Sequence, residues 1–343
     1  MLIFRILRWL VLVVLLLAAW IAYQLWGPAV TLSEKKYLYI AEPISCEQLS
    51  TQLKQEGFLA SGYWFSLVSD QLQVEKIKAG RYEIKPNMSV MDLVRLFRNG
   101  RQSLVKLSIV KERTLQQLAG KIGNRTDTRI DSLDCLLYLT NNDSLRQYGV
   151  DTNTLLSIVM PFTYEIGWAE TPGQILDKMH DRYQQFWDST HTKKAAAKGL
   201  TPLQVSILAS IVEEESNRQD DRYNIASTYI NRLRIGMKLQ ADPTVKYATR
   251  NFGLSRILYG HLALNSPYNT YRINGLPPGP ICTPSIKSIE AVLDAPDTDY
   301  LYFVASYQFD GSTLFSSTYA QHQAFVKLFH AEQQRRLQNS APR

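Results

Sequence analysis

The sequence predicts an α+β protein in three parts: a single N-terminal transmembrane helix, a small α+β domain and a larger mixed α+β domain. Three observations lead there. An uncharged apolar run opens the chain. Short alternating strands and capped helices then interleave closely. The second half holds longer capped helices, one long stiff loop, a strand and a last helix. The chain has 343 residues, 45% hydrophobic and 20% charged, which is ordinary for globular domains and suggests two of them. The boundaries read from these patterns are 1–8 for a cytoplasmic N-terminus, 9–27 for the anchor, 28–110 for the small domain and 111–343 for the larger one. The core motifs of the larger domain run over 201–325.

Composition excludes several classes. The net charge of +7 favours an anionic partner. Its lysines and arginines are scattered, however, with no basic block beside an aromatic ladder, so nucleic acid is not a predicted partner. Cys46, Cys135 and Cys282 lie far apart without a C-x-x-C, and whether any two pair is not legible from sequence. The five histidines lack H-E-x-x-H spacing and there is no P-loop, so neither a metal site nor a cofactor is indicated.

Arg5 and Arg8 precede WLVLVVLLLAAWIAYQLW, Trp9 to Trp26, and no charge follows until Glu34. A run of roughly 18 or more apolar residues is long enough to cross a bilayer. Trp20, Tyr23 and Trp26 suit an interfacial belt at its far end. A cleaved signal peptide is the rival, but its apolar region would be about 7–15 residues and end at a small-x-small site. Ala22-Tyr23-Gln24 is a poor one, so an uncleaved anchor is expected. The preceding arginines put the N-terminus in the cytoplasm and the bulk of the chain in the periplasm, against a weaker contrary signal from Lys35 and Lys36.

In the small domain, KYLYIAEP (36–43) reads as a strand. Ser45 caps a helix with Leu49 and Leu53 near one face, and a second helical pattern runs over 62–74. Gly80 opens a strand with Tyr82 and Ile84 on one side, Ser89 caps the next helix, and LVKLSIV (104–110) alternates as a strand. Strand, two helices and strand in close succession resemble a LysM-like glycan-binding module. Residues 111–200 read as mostly helical. Thr114, Ser132 and Thr171 stand as caps, and Ile175, Met179, Tyr183 and Phe186 form a buried stripe.

LQVSILASIVEEES (203–216) organises the rest. Thr201 caps it, Pro202 takes the first helical position and Gln204 completes a capping-box spacing. With ~100° per residue, Val205, Leu208, Ile211 and Val212 share one face. Glu213 then points to the polar side, Glu214 lies at a border, and Glu215 continues the apolar stripe. A carboxyl on a buried face is costly when ionised, so its pKa rises, as a general acid at neutral pH requires. The bland alternative is a solvated helix end or an arginine pair. A second helix follows, with Ile225, Tyr229 and Leu233 on one face and Arg222, Asn231 and Arg232 as polar groups. Asp242-Pro243 stops and restarts the chain. SPYNTYRINGLPPGPICTPS (266–285) is a proline- and glycine-rich loop whose Tyr268, Asn269, Thr270 and Tyr271 suit a sugar-binding cleft. DYLYFVAS (299–306) reads as a strand, SSTYAQH (316–322) starts the last helix, and the tail from Asn339 is expected to be loose.

The runs ASIVEEES, IASTYINRLRIGMKLQADPTVKYA, SPYNTYRINGLPPGPICTPS and YLYFVAS, with AGRYEIKPNMSV and PFTYEI before them, resemble the endolytic murein transglycosylases, the YceG-like family. The resemblance covers most of the chain. It implies cleavage of MurNAc–GlcNAc bonds in nascent peptidoglycan strands, leaving 1,6-anhydro-MurNAc ends and limiting strand elongation. It implies glycan strands and peptidoglycan synthases as partners. It also places the catalytic glutamate, the last acidic residue of I-V-E-x-E-[ST], on Glu215. Substrate contacts are expected from Tyr268, Asn269, Thr270, Tyr271, Gln240, Asp242 and Thr244. Three positions depart from the family pattern: Phe162 replaces Asp or Asn, Thr313 replaces a histidine, and Gln323 replaces Asn. Two other functions compete: a glycoside hydrolase using Asp242 or Glu213 as second carboxylate, and a non-enzymatic peptidoglycan-binding scaffold.

Overall fold

The computed structural model describes residues 2–125 and 127–340, and the chain divides into two compact units. The first takes Met1–Lys106, Arg125–Ile130 and Glu165–Thr171. Two short segments beyond the expected boundary at 110 thus fold with the small unit. The second takes Leu107–Asn124, Asp131–Tyr164 and Pro172–Arg343.

The first unit contains α1 (Leu2–Trp26), β1 (Lys36–Ile40), β2 (Ile44–Ser45), α2 (Cys46–Gln55), α3 (Tyr63–Gln71), β3 (Lys76–Ile77), β4 (Gly80–Ile84) and α4 (Val90–Arg98). Helix α1 begins well before Trp9, so Arg5 and Arg8 lie on it rather than on a separate N-terminal segment. Strands β1 and β4 pair antiparallel, with Lys36 opposite Ile84 and Ile40 opposite Gly80. Alternation buries Leu38 and Ile40 on one strand and Tyr82 and Ile84 on the other. Ser45 and Ser89 each close a capping box, with Gln48 and Asp92, which sets the starts of α2 and α4. Helix α4 buries Val90, Leu93, Val94 and Phe97 under this sheet, at about 1.5–3 kcal/mol for each large side chain.

Strand β5 (Val105–Ser108) precedes α5 (Leu115–Gly123), α6 (Ser132–Leu139), α7 (Asn142–Leu145), β6 (Thr163–Ile166), α8 (Pro172–Phe186) and α9 (Ser189–Ala197). Then come α10 (Pro202–Glu215), α11 (Gln219–Arg234), α12 (Asp242–Ala248), α13 (Tyr259–Leu262), α14 (Ile286–Leu293), β7 (Tyr302–Ala305), β8 (Thr313–Ser316) and α15 (Tyr319–Ser340). Asp131 rather than Ser132 caps α6: its side chain accepts from Leu133 N. Strand β8 was not foreseen. It pairs antiparallel with β7, and four residues give too short an alternation to read. Helix α15 runs through Ser340, so the expected loose tail begins helical; residues 341–343 lie outside the described residues. All three cysteines are free and buried.

The core of the second unit forms around α10, which packs against α9, α11, α12 and α14. Every residue from Val205 to Val212 is buried, serines included. Ser206 and Ser210 donate back to Pro202 O and Ile207 O, so burying them leaves no unmet hydroxyl donor. A helix buried all round is a central strut, and it delivers its C-terminal residues to the interior of the unit.

Candidate active site

The expected amphipathic stripe on α10 does not exist as such, because the helix has no solvent face over its middle turns. Helical angle therefore does not separate the three glutamates at its end; their partners do. Glu213 is not on a polar surface. It pairs with Arg222 Nη2 at 3.3 Å, accepts Ser288 Oγ at 2.6 Å and also accepts Ser285 Oγ. Ser285 is the N-cap of α14, so this carboxylate joins α10 and α11 to the positive end of α14. Glu214 meets Lys111 Nζ at 3.1 Å and Arg113 Nη2 at 2.9 Å. Burial by itself would raise its pKa, but the Arg113 hydrogen bond and the Lys111 charge outweigh it and hold the carboxyl below its usual value.

Glu215 has neither arrangement. It is half-buried and accepts a hydrogen bond from Tyr229 Oη at 2.5 Å; no ion pair reaches it among the described residues. Burial pushes its pKa up to about 7, with the Asp242 charge adding and the Tyr229 bond and Arg232 charge opposing. Tyr229 is itself buried on α11 and titrates well above the ordinary tyrosine value, from burial and from the Glu215 charge, so its hydroxyl keeps its proton and donates.

Glu215 opens into a cleft of about 320 Å³ whose walls include Arg232, Gln240, Asp242, Tyr271, Tyr302 and His322. Tyr271 Oη donates to Asp242 Oδ1 at 2.6 Å. Arg232 is buried and held by two carbonyls, Nε to Leu301 O at 2.7 Å and Nη1 to Leu239 O at 2.5 Å. It supplies fixed positive charge near Glu215 without pairing with it. Tyr302 stacks on His322 at 5.4 Å between centroids and lies 5.7 Å from Tyr319. Burial and the Arg232 charge lower the His322 pKa, which favours the neutral ring. Gln240 sits at φ 50°, a left-handed conformation uncommon outside glycine, of the kind that gathers at functional sites. The cleft thus brings together an acid at the edge of neutrality, a second carboxylate and aromatic faces, an arrangement able to move a proton to and from a bound ligand.

The YceG-like family profile matches residues 38–328, most of the chain. The chain belongs to the YceG-like family. It is 28% identical over 294 residues to the endolytic murein transglycosylase of Bacillus subtilis, across 81% of this chain and 80% of that protein. The endolytic murein transglycosylase of Streptococcus pneumoniae R6 is 28% identical over 306 residues. That match covers 80% of this chain and 55% of the streptococcal protein, so the chain spans about half the length of that relative. A 2.6 Å crystal structure of a yceG-like protein from Listeria monocytogenes matches with a TM-score of 0.55 and 28% identity, over 85% of this chain and 99% of that one.

In this YceG-like chain, four of the eight expected site residues, Glu215, Gln240, Asp242 and Tyr271, share one cleft. The other four do not line it. Asn269 has no exposed surface; its amide donates to Leu262 O at 3.0 Å and Leu264 O at 2.8 Å. Thr270 and Thr244 are equally buried, their hydroxyls 2.8 Å apart, and Thr270 Oγ1 accepts Ala241 N. These three brace the backbone beside Gln240, Asp242 and Tyr271 and present no side chain to the cleft. Tyr268 packs on Tyr247 at 4.7 Å and faces a separate small hollow with Arg250. Further along the loop, Gly279 approaches the chain so closely that a Cβ would lie 1.9 Å from Asn153 O.

Sequence reasoning missed Tyr229, read as part of an apolar face, and Tyr302 and Tyr319, read only as strand and helix; His322 matched a family histidine but was given no role. Arg232 had been noted as polar without a role. The signal available was a tyrosine on the buried side of the helix that follows the glutamates, since a buried phenol needs an acceptor. Two of the departures from the family pattern, Thr313 and Phe162, do not line the cleft, whereas Gln323 directly follows the cleft residue His322. Thr313 Oγ1 donates to Asp221 Oδ2 at 2.9 Å, and Phe162 lies under the Arg182 guanidinium at 4.6 Å.

Proposed function

We propose that this chain is a membrane-anchored lytic transglycosylase that cleaves MurNAc–GlcNAc bonds within nascent peptidoglycan strands, with Glu215 as its acid and base. One observation carries the reading. Of three consecutive glutamates, two are neutralised by cations, and the third, with no ion pair among the described residues, is held near neutral pKa at the wall of a cleft. The names of the relatives support the substrate class.

Protonated Glu215 donates to the glycosidic oxygen as the C1–O bond breaks, and the leaving GlcNAc departs as its 4-hydroxyl. The resulting carboxylate takes the proton from the C6 hydroxyl of MurNAc, whose oxygen closes on C1 to give the 1,6-anhydro ring. The nucleophile belongs to the same sugar, so orientation replaces an activated water. Arg232, held by carbonyls, and Tyr229 tune the carboxyl. Tyr271, Asp242, Gln240 and the Tyr302 face are the substrate contacts of this reading. The braced loop residues Asn269, Thr270 and Thr244 position them.

The first unit serves as a LysM-like glycan-binding module and α1 as an uncleaved single-pass anchor in the cytoplasmic membrane, with both units periplasmic and synthases as neighbours. The apolar helix Ile3–Trp26 and the arginines at its start support that topology. The small unit would hold the strand and the larger one cut it.

Asp242 stands in the cleft with Glu215, which favours a second reading, a two-carboxylate hydrolase. Mass spectrometry of products from uncrosslinked glycan strands separates the two, with Glu215→Gln as control. Anhydro ends are expected. A reducing end that incorporates solvent oxygen would establish hydrolysis instead.

A further inference from the structure

The first unit carries an aromatic edge that touches α1 partway along its apolar run. Trp64, near the start of α3, meets Trp20 of α1 edge-on, with ring centroids 5.5 Å apart. Tyr63 packs edge-on against Trp64 at 5.4 Å. Tyr63 is 65% exposed and Leu67, one turn further along α3, is 39% exposed. Tyr63 and Leu67, beside Trp64, thus form a small exposed edge of aromatic and apolar side chains next to α1.

The level of Trp20 along α1 decides what that surface meets. Trp9 and Trp26 bound the apolar run and suit the two membrane interfaces. At 1.5 Å per residue they are about 26 Å apart, close to the thickness of the hydrocarbon core. Trp20 then lies about 9 Å inside the level of Trp26. Side chains on a helix lean toward its N-terminus, which carries the Trp20 ring deeper. A ring whose centroid is 5.5 Å from it stays inside the Trp26 level even when displaced wholly outward. Starting the span at Ile3 instead places its outer end near residue 22, at about 20 residues, and Trp20 is still within it.

We propose that Tyr63, Trp64 and Leu67 form a membrane-docking edge that seats the first unit in the outer-leaflet interface of the bilayer that α1 crosses. The partner is lipid: acyl chains against Leu67 and Trp64, headgroups against the Tyr63 hydroxyl. The chemistry changes sign at Tyr63, as an interface requires. On its other side Tyr63 walls a polar hollow of about 590 Å³ with Ser50, Thr51, Lys54 and Ser61, where Lys54 suits an anionic headgroup. The consequence is a fixed height and tilt for the small unit, set by side chains and not by a flexible tether. This inference rests on α1 spanning the membrane.

The test uses the full-length protein in vesicles of phosphatidylethanolamine and phosphatidylglycerol. Nitroxide labels are placed at Leu67→Cys and, separately, at Val13→Cys; the three native cysteines are buried and free. Collision with oxygen, which enriches in lipid, is compared with collision with a water-soluble nickel chelate. Val13 should read as lipid, with oxygen favoured. Leu67 should show the same sense, with nickel collisions suppressed severalfold relative to free label in buffer. A lipid signal at 13 with nickel contacting 67 as freely as oxygen would overturn the docking edge and leave the span standing. Suppression of both reagents at 67 would mean that protein covers the edge, and would overturn it too. A water signal at 13 would remove the span itself and the inference with it.

Discussion

Glu214 and Glu215 are adjacent on one helix end, and their surroundings differ as much as two carboxylates' can. Glu214 looks toward Lys111 and Arg113, a hundred residues earlier in the chain, and is held ionised. Glu215 looks toward a buried tyrosine and a cleft, and is held near half-protonation at pH 7. Burial is the largest influence on both. What differs is compensation: a charge taken out of water and given a cation stays a charge, while one given a single neutral donor tends to take up a proton. The same helix end thus carries an ion-paired carboxylate and a carboxyl near neutrality side by side.

The most severe way to break this comparison is Glu215→Gln. The amide keeps the shape and loses the proton chemistry, so anhydro-product formation should fall by about 10²–10⁴ or more. Circular dichroism should show an unchanged fold. A variant that kept full activity would end the assignment of Glu215.

The opposite partner should fail in the opposite way. Glu214→Gln leaves Lys111 and Arg113 facing a neutral group, at a cost of about 1–3 kcal/mol in stability. Turnover per folded molecule should change little. Glu213→Gln should resemble it, since Arg222 and the start of α14 lose their carboxylate. Equal activity losses at all three positions would show that the three act as one charge cluster.

Stability as a function of pH sharpens the contrast. Glu215 has a folded pKa of about 7 against an ordinary value of 4.5. Its contribution to stability is therefore fully present below about pH 4.5 and is lost as pH rises through about 7. Glu215→Gln removes that loss, so the inactive variant should be the more stable protein at pH 8, by on the order of 1–3 kcal/mol. Denaturant titrations of both proteins at pH 5 and pH 8, about two units below and one above this pKa, would measure it.

The smallest expected effect is at Tyr229. Wild-type activity should fall as pH rises through about 7, because the acid loses its proton. The Tyr229 hydrogen bond lowers the Glu215 pKa, so Tyr229→Phe should move that alkaline limb upward, by about one pH unit or less. A purely structural tyrosine would reduce the amount of folded enzyme and leave the limb where it is.

What was legible in the chain follows the range of the interactions involved. Thr201, Pro202 and Gln204 announced the start of α10, and Ser45 and Ser89 those of α2 and α4, because capping is completed within three residues. The stop and restart at Asp242-Pro243 and the stiffness of 266–285 are local in the same way. Glu215 was singled out on a helical stripe, and the stripe proved not to be a boundary between core and solvent. The choice held a physical content that the angle could only approximate: that one carboxyl of the three lacks a cation.

That content is tertiary. Lys111 and Arg113 reach Glu214 across about a hundred residues of chain, Ser285 and Ser288 reach Glu213 across more than seventy, and Tyr229 reaches Glu215 from the next helix. The loop YNTY makes the same point. Its four residues read alike as polar and aromatic sugar contacts, yet the fold turns Asn269 and Thr270 inward as braces, Tyr268 to another hollow and only Tyr271 to the cleft. The sequence by itself determined the apolar first helix, the caps, the family and the acidic residue to test. Only the tertiary packing around the end of α10, by α11, α12, α14 and the segment carrying Lys111 and Arg113, decided which neighbours each carboxyl meets, because electrostatic partnership depends on distance in space and not along the chain.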